Sequence, residues 1–323
     1  MESISDTASK ASNGGRPALL LFDEMPEWFR RESNQWVLHG YRAISGSVHA
    51  SFCSWSYIHN ESVNIYSHLI PAILFLLGEG YIQQYLASRY SGVTGADFIA
   101  FSIFMLTAVT CLSLSATYHT LMNHSQHMEH FCLRLDMLGV VIFILGDLVL
   151  GIYMVFWCEP LPRNIYWSMV SLSPRIGVFG MLTIFMTTHP KFQGPKYRLF
   201  RALMFVATGL SGVAPLIHGL NLFGLSLMIR KAFPYTLAKA GCLLSGTSIY
   251  AVSLPIAHTT EKLTLIHVVL KTRFPESRYP GKFDLWGSHS IFHILVVCAA
   301  VVQLMGYLDA FDYAHANLTC SSL

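Results

Sequence analysis

The sequence predicts an all-α integral membrane protein: a seven-transmembrane helix bundle with an N-terminal interfacial amphipathic helix, the N-terminus cytosolic and the C-terminus outside. Three observations predict it. Of 323 residues, 53% are hydrophobic and 12% charged, where a soluble domain carries about 25% charged residues. The mean hydropathy is +0.46. Apolar stretches near the roughly 20 residues that a bilayer crossing needs recur along the chain. The net charge of +3 is small, so its distribution matters more than its sum. Basic residues are not clustered with aromatics in a way that suggests nucleic acid as a partner.

Residues 1–17 are rich in Ser, Gly and Ala and are expected to be a disordered tail. They lack the early apolar core of a signal peptide, so insertion is expected to rely on the first transmembrane helix. Residues 18–65 form a cytosolic N-terminal segment, with Arg30, Arg31 and Arg42 among aromatics such as Trp28 and Trp36. Within it, 46–59 is too short and too polar to span, and reads as an amphipathic helix at the interface. The transmembrane domain, 66–310, has expected spans at 66–87, 97–121, 131–156, 165–188, 199–223, 235–257 and 286–309. Pro174 and Arg175 interrupt the fourth, and 311–323 is a short extracytosolic tail. The cysteines (Cys53, Cys111, Cys132, Cys158, Cys242, Cys298, Cys320) show no CxxC spacing. Most read as small hydrophobes in apolar runs, with a disulfide between outside loops left open.

Orientation follows from the positive-inside rule. Arg16, Arg30, Arg31 and Arg42 precede the first span; Lys191, Lys196, Arg198 and Arg201 lie between the fourth and fifth; Lys262, Lys271, Arg273, Arg278 and Lys282 lie between the sixth and seventh. The alternate connections are poorer in Lys and Arg, and the tail has neither. Asn317-Leu318-Thr319 in that tail is a glycosylation sequon, a weak signal that fits.

This topology brings four polar residues to one leaflet. His119 ends the second span, Asp136 lies near the start of the third, and His289 and His293 open the seventh. His289 and His293 are spaced i, i+4 and share a helix face, as do Ser115 and His119. Catalytic zinc sites often use three protein ligands and leave a fourth position for water, whose pKa the ion lowers to about 7. Asp136 could hold that water and take its proton, while Ser115 could hydrogen-bond a ligand or a developing oxyanion. Bland readings compete. HxxxH alone is a weak signal, and an Asp near a helix start is more often a dipole partner. Their convergence at one membrane depth is what favours a site.

The motifs Glu61-Ser-Val-Asn64-Ile65, Ser115-Ala-Thr-Tyr-His119, Leu135-Asp136, Gly209-Leu-Ser-Gly-Val-Ala-Pro215, Pro280-Gly-Lys-Phe-Asp284 and His289-Ser-Ile-Phe-His293 resemble the progestin and adiponectin receptor family. That family is related to haemolysin III and, more distantly, to the alkaline ceramidases. The resemblance runs from Pro26 to Tyr307, and Phe192-Gln-Gly-Pro-Lys-Tyr197 looks most like the fungal, Izh-type branch tied to zinc and lipid homeostasis. It implies an intramembrane Zn2+ on His119, His289 and His293, with Asp136 holding the zinc-bound water. It also implies hydrolysis of ceramide or a related N-acyl lipid to a free fatty acid and a sphingoid base. A signalling receptor with structural zinc and an unknown extracellular ligand is the alternative, and a zinc-homeostasis factor a third. Plasma membrane and endoplasmic reticulum both stay open.

Two departures from the family pattern stand out. Residues 252–271 separate Tyr250-Ala251 from Arg273-Phe-Pro-Glu276, which follow almost directly in the family; removing them restores the spacing. We hypothesise a retained intron, and a dominant transcript carrying those bases would sink the idea. His258 and His267 fall in this insert and are not counted as ligands. Ser171-Leu-Ser-Pro-Arg175 places a charge near mid-membrane, for which Asp147 or Glu79 could be partners; a local error in the gene model explains it at least as well. Glu79 and Asp147 could also line a lipid cavity. His218 reads as helix packing or a lipid-polar contact, Asn64 and His68 as capping or interfacial, and His124, His127 and His130 as a solvated loop that could bind zinc loosely.

Overall fold

The structure, a computed structural model, describes residues 17–31, 34–171, 185, 189, 197–250 and 273–320. Among them the regular structure is helical, without a strand; Leu20 and Tyr41 form an isolated bridge. The helices are α1 (Val48–Cys53), α2 (Ser62–Arg89), α3 (Gly95–Leu121), α4 (Gln126–Val155), α5 (Pro160–Ser171), α6 (Arg198–Leu210), α7 (Val213–Arg230), α8 (Phe233–Tyr250) and α9 (Ser288–Asn317). Among the described residues, five stretches are long and apolar enough to cross a membrane: α2, α3, α4, Met204–Arg230 and α9. Of the expected fourth span the described residues are those up to Ser171 and Phe185, and the expected sixth is described as far as Tyr250. The tail 1–16, the charge at Arg175 and the insert 252–271 lie outside the described residues.

Several boundaries differ from expectation for local reasons. The interfacial helix is shorter than 46–59, because Ser54 and Ser56 bond back to the carbonyls of Ser51 (2.6 Å) and Cys53 (2.8 Å) and close a 3-10 turn over Ser54–Ser56. Such back-bonding competes with helix propagation. The fifth expected span is two helices that meet at Ser211-Gly212. Pro215 sits in the first turn of α7, where a missing N–H costs no helical bond. α9 runs on to Asn317 because its polar end is partnered: Asp309 accepts from Tyr235 Oη (2.7 Å), and Asp312 from Tyr85 Oη (2.7 Å) and Arg89 (3.1 Å).

The chain divides into two compact units. One comprises Ile70–Leu114, Arg134–Cys242 and Val297–Leu323. Its core holds Leu86, Phe101, Phe104, Leu150, Tyr307 and Phe311, all buried. α3 and α4 approach closely at two glycines of α4: a Cβ on Gly146 would collide with the Thr107 side chain, and one on Gly139 would press on the backbone of Cys111. Asp147 and Glu79, carboxylates within apolar helices, have polar partners, as a low-dielectric surrounding demands. Asp147 accepts from Lys239 Nζ (2.6 Å) and Tyr307 Oη (2.9 Å), and Gln83 Nε2 donates to Glu79 (2.9 Å) and to Ser102 (2.8 Å). Asp147 was offered above as a partner for Arg175, which lies outside the described residues; among those, its cationic partner is Lys239. His218 packs on Phe156 and meets Tyr166 Oη at 3.2 Å, as expected of a packing residue. Cys158 and Cys320 form a disulfide.

The other unit takes in Met1–Leu69, Ser115–Leu133 and Leu243–Val296. Met25, Phe29, Tyr41, Tyr118, Leu121, Met122 and Cys132 are its buried apolar cluster. Arg31 meets the buried Glu129 at 2.6 Å, and Tyr118 Oη donates to the same carboxylate (3.1 Å). His127 and His130 sit on the first turns of α4, one turn further into helix than a loop reading gives them. Asp284 accepts from the backbone N–H of Leu38 (2.9 Å) and His39 (3.1 Å), which fastens the N-terminal segment to the approach to α9.

Candidate metal centre

The last turn of α3 carries His119 and the first two turns of α9 carry His289 and His293. One nitrogen from each lies within 4.8 Å of the other two. His119 Nε2 and His289 Nε2 are 3.2 Å apart. Two nitrogens each about 2.0–2.1 Å from a tetrahedral zinc stand about 3.3–3.4 Å apart, so the pair already has nearly the edge length that an ion requires. His119 and His293 are buried and His289 partly so.

Acceptors around the trio fix which nitrogen two of the rings present. Glu61, just ahead of α2, lies with Oε2 2.8 Å from His119 Nδ1. The backbone carbonyl of Asn64 is 3.2 Å from His293 Nδ1. Protons held at both Nδ1 positions leave Nε2 as a bare lone pair, the usual arrangement behind a ligating histidine. Asn64 also donates Nδ2 to Glu61 (2.7 Å) and accepts from Ser290 Oγ (2.8 Å), so one side chain links the carboxylate to α9. Burial pushes the Glu61 carboxyl up, but the hydrogen bond and charge of His119 and the Asn64 amide outweigh it and hold it at about 2.

The helix ends that carry the three histidines are themselves held. Glu276 accepts from Ser288 N (2.7 Å) and Ser288 Oγ at the start of α9, meeting the N-terminal N–H groups with a carboxylate. Arg42 donates to the carbonyls of His119 (2.6 Å) and Thr120 (3.0 Å) and to Ser54 Oγ (2.8 Å). Burial lowers its pKa to about 10, with Glu61 opposing, so it stays charged at neutral pH. His68 stacks on His293, with ring centroids 3.8 Å apart and planes 7° from parallel. Its two ring nitrogens are buried, with no hydrogen-bond partner among the described residues.

Of the residues singled out from sequence, the fold brings together His119, His289 and His293. Ser115 is buried one turn before His119 on α3. Asp136 is buried on α4 and belongs to the unit that contains Arg134–Cys242, whereas the three histidines belong to the other. Asn64 and His68, read above as capping or interfacial, instead back the trio. Sequence reading assigned no role to Glu61, Arg42 or Glu276. The available signal was Glu61 itself: an acidic side chain at the mouth of the first span, on the side where the ligands gather.

These helices and this buried trio define a multi-pass integral membrane protein of the all-α class. The haemolysin-III-related family model matches residues 56–269 and 262–304. The chain belongs to that family. It is 33% identical to the ADIPOR-like receptor IZH2 of Saccharomyces cerevisiae, over 93% of this chain and 86% of that protein. It is also 33% identical to the adiponectin receptor protein of Drosophila melanogaster, over 93% of this chain and 61% of that one. With heptahelical transmembrane protein 1 of Arabidopsis thaliana it shares 30% identity, over 92% of this chain and 82% of the relative.

Proposed function

We propose that the chain is a zinc-containing, seven-helix membrane protein that hydrolyses ceramide-type lipid amides, and so links lipid and zinc homeostasis to signalling. The observation that carries this reading is the trio itself: three convergent imidazoles, two with Nδ1 held by an acceptor so that Nε2 is free to ligate. The set fits zinc by donor type, number and the 3.2 Å separation. When bound, the ion would polarise an amide carbonyl and acidify a water. His119, His289 and His293 hold it, Glu61 keeps the His119 proton at Nδ1, and Asp136 is assigned the proton taken from the water. Ser115 is assigned a hydrogen bond to the developing oxyanion. The products are a free fatty acid and a sphingoid base.

We place the N-terminus in the cytosol and the C-terminus outside. Lys and Arg asymmetry supports this. So does the disulfide between Cys158, after α4, and Cys320 in the tail, since disulfides persist in oxidising compartments. The heptahelical names of relatives support seven spans.

The test is purified protein assayed for metal content and for fatty-acid release from ceramide. Asp136→Asn is expected to keep zinc and lose turnover, while His289→Ala loses both. A second reading, a receptor whose zinc only holds helices, draws on the receptor names of relatives. Full zinc occupancy with no hydrolysis of any N-acyl lipid would select it. Ion transport is disfavoured, because the ligands are confined to one leaflet under this orientation.

A further inference from the structure

We propose that Arg42 and Glu61 are positioning residues for the metal, acting on the same histidine from two sides. This rests on the zinc reading above. The four last carbonyls of α3 have no partner within the helix. Met122 N–H takes that of Tyr118 (2.9 Å) and His124 N–H that of Leu121 (2.9 Å). The remaining two, His119 and Thr120, are both taken by the Arg42 guanidinium, which Ser54 Oγ steadies. Arg42 is therefore the cap that completes the helix end, and its positive charge suits the negative end of the helix dipole. A planar guanidinium can bridge two adjacent carbonyls and a hydroxyl at once; an ammonium reaches them as a point charge.

Glu61 acts on the ring of the same residue. Its Oε2 lies 2.8 Å from His119 Nδ1 and is steadied by Asn64 Nδ2 at 2.7 Å. Arg42 thus fixes the backbone from which His119 springs, and Glu61 fixes the tautomer and the rotation of the imidazole. Both come from the N-terminal segment, ahead of the first span, so that segment is a working part of the metal centre. Carboxylates behind ligating histidines change metal affinity by 10–100-fold when removed.

The test is zinc affinity of the full-length protein in detergent, by chelator competition, with the visible spectrum of the cobalt-substituted protein as a second readout. Glu61→Gln is nearly isosteric and is expected to weaken zinc binding about 10–100-fold, alter the cobalt spectrum, and leave the metal-free unfolding midpoint near that of wild type. Arg42→Lys is expected to keep the charge but also lose affinity and shift the spectrum; Arg42→Ala should lose more, with Arg42→Lys standing in if it fails to fold. Wild-type affinity and spectrum in either Glu61→Gln or Arg42→Lys removes that residue from the assignment. A wild-type protein that binds no stoichiometric zinc overturns the metal reading itself, an outcome distinct from wild type binding zinc and the variants matching it.

Discussion

His59 is a side chain whose protonation the fold opposes. It is buried, and its Nδ1 accepts the N–H of Glu61 at 3.2 Å, which requires a bare nitrogen there. Burial and then the Arg42 charge hold its pKa down at about 3, with Glu61 pulling the other way. An unfolded histidine titrates near 6.5. Above that pH neither state binds the proton. Below it the unfolded chain takes a proton that the folded one refuses, so stability falls as pH drops from about 6.5 towards 3, by up to about 1.4 kcal/mol per unit. Unfolding followed across that window is expected to show the slope, and His59→Asn to flatten it. An equally steep curve in the variant would remove His59 as its source. At this scale the convergence of the three histidines was legible, because histidine spacing and span ends are written in the chain. The roles of Glu61, Asn64 and Arg42 were not: each depends on which acceptor or carbonyl lies within 3 Å, and only the folded backbone decides that.

At the scale of elements, hydropathy located the five spans that the described residues show, and polar partners moved their ends. α9 outruns its apolar stretch because Asp309 and Asp312 find tyrosine and arginine donors. The fifth span breaks at Ser211-Gly212, which a window of hydropathy averages away. Close helix approach was also illegible, since a glycine among apolar residues reads the same whether or not a neighbour needs the space. Gly146 is such a case, with the branched Thr107 side chain standing where its Cβ would go. Gly146→Ala is expected to destabilise by about 1–3 kcal/mol through overpacking. Thr107→Ala should recover part of that loss, as contacting residues couple. Thermal unfolding of the single and double variants in detergent reads this out, and strictly additive losses would contradict the contact.

For the whole molecule, a ligand that binds only the folded state adds stability by mass action, about 2.7 kcal/mol at one hundred times its dissociation constant. Zinc is therefore expected to raise the unfolding midpoint of wild type, and a chelator to lower it. His119→Ala should be indifferent to both, and a variant that still responds would place the stabilising zinc elsewhere. The Cys158–Cys320 bond has a further consequence in chain topology. It closes a covalent ring with a sequence separation of 162 residues, and α5 to α9 lie inside it. His289 and His293 are on the ring, whereas His119 and Glu61 are on the open arm leading into it. A backbone cut anywhere between Cys158 and Cys320 turns the ring into two branches that stay one molecule, so the two-histidine branch cannot diffuse away from the rest until a reductant opens the bond.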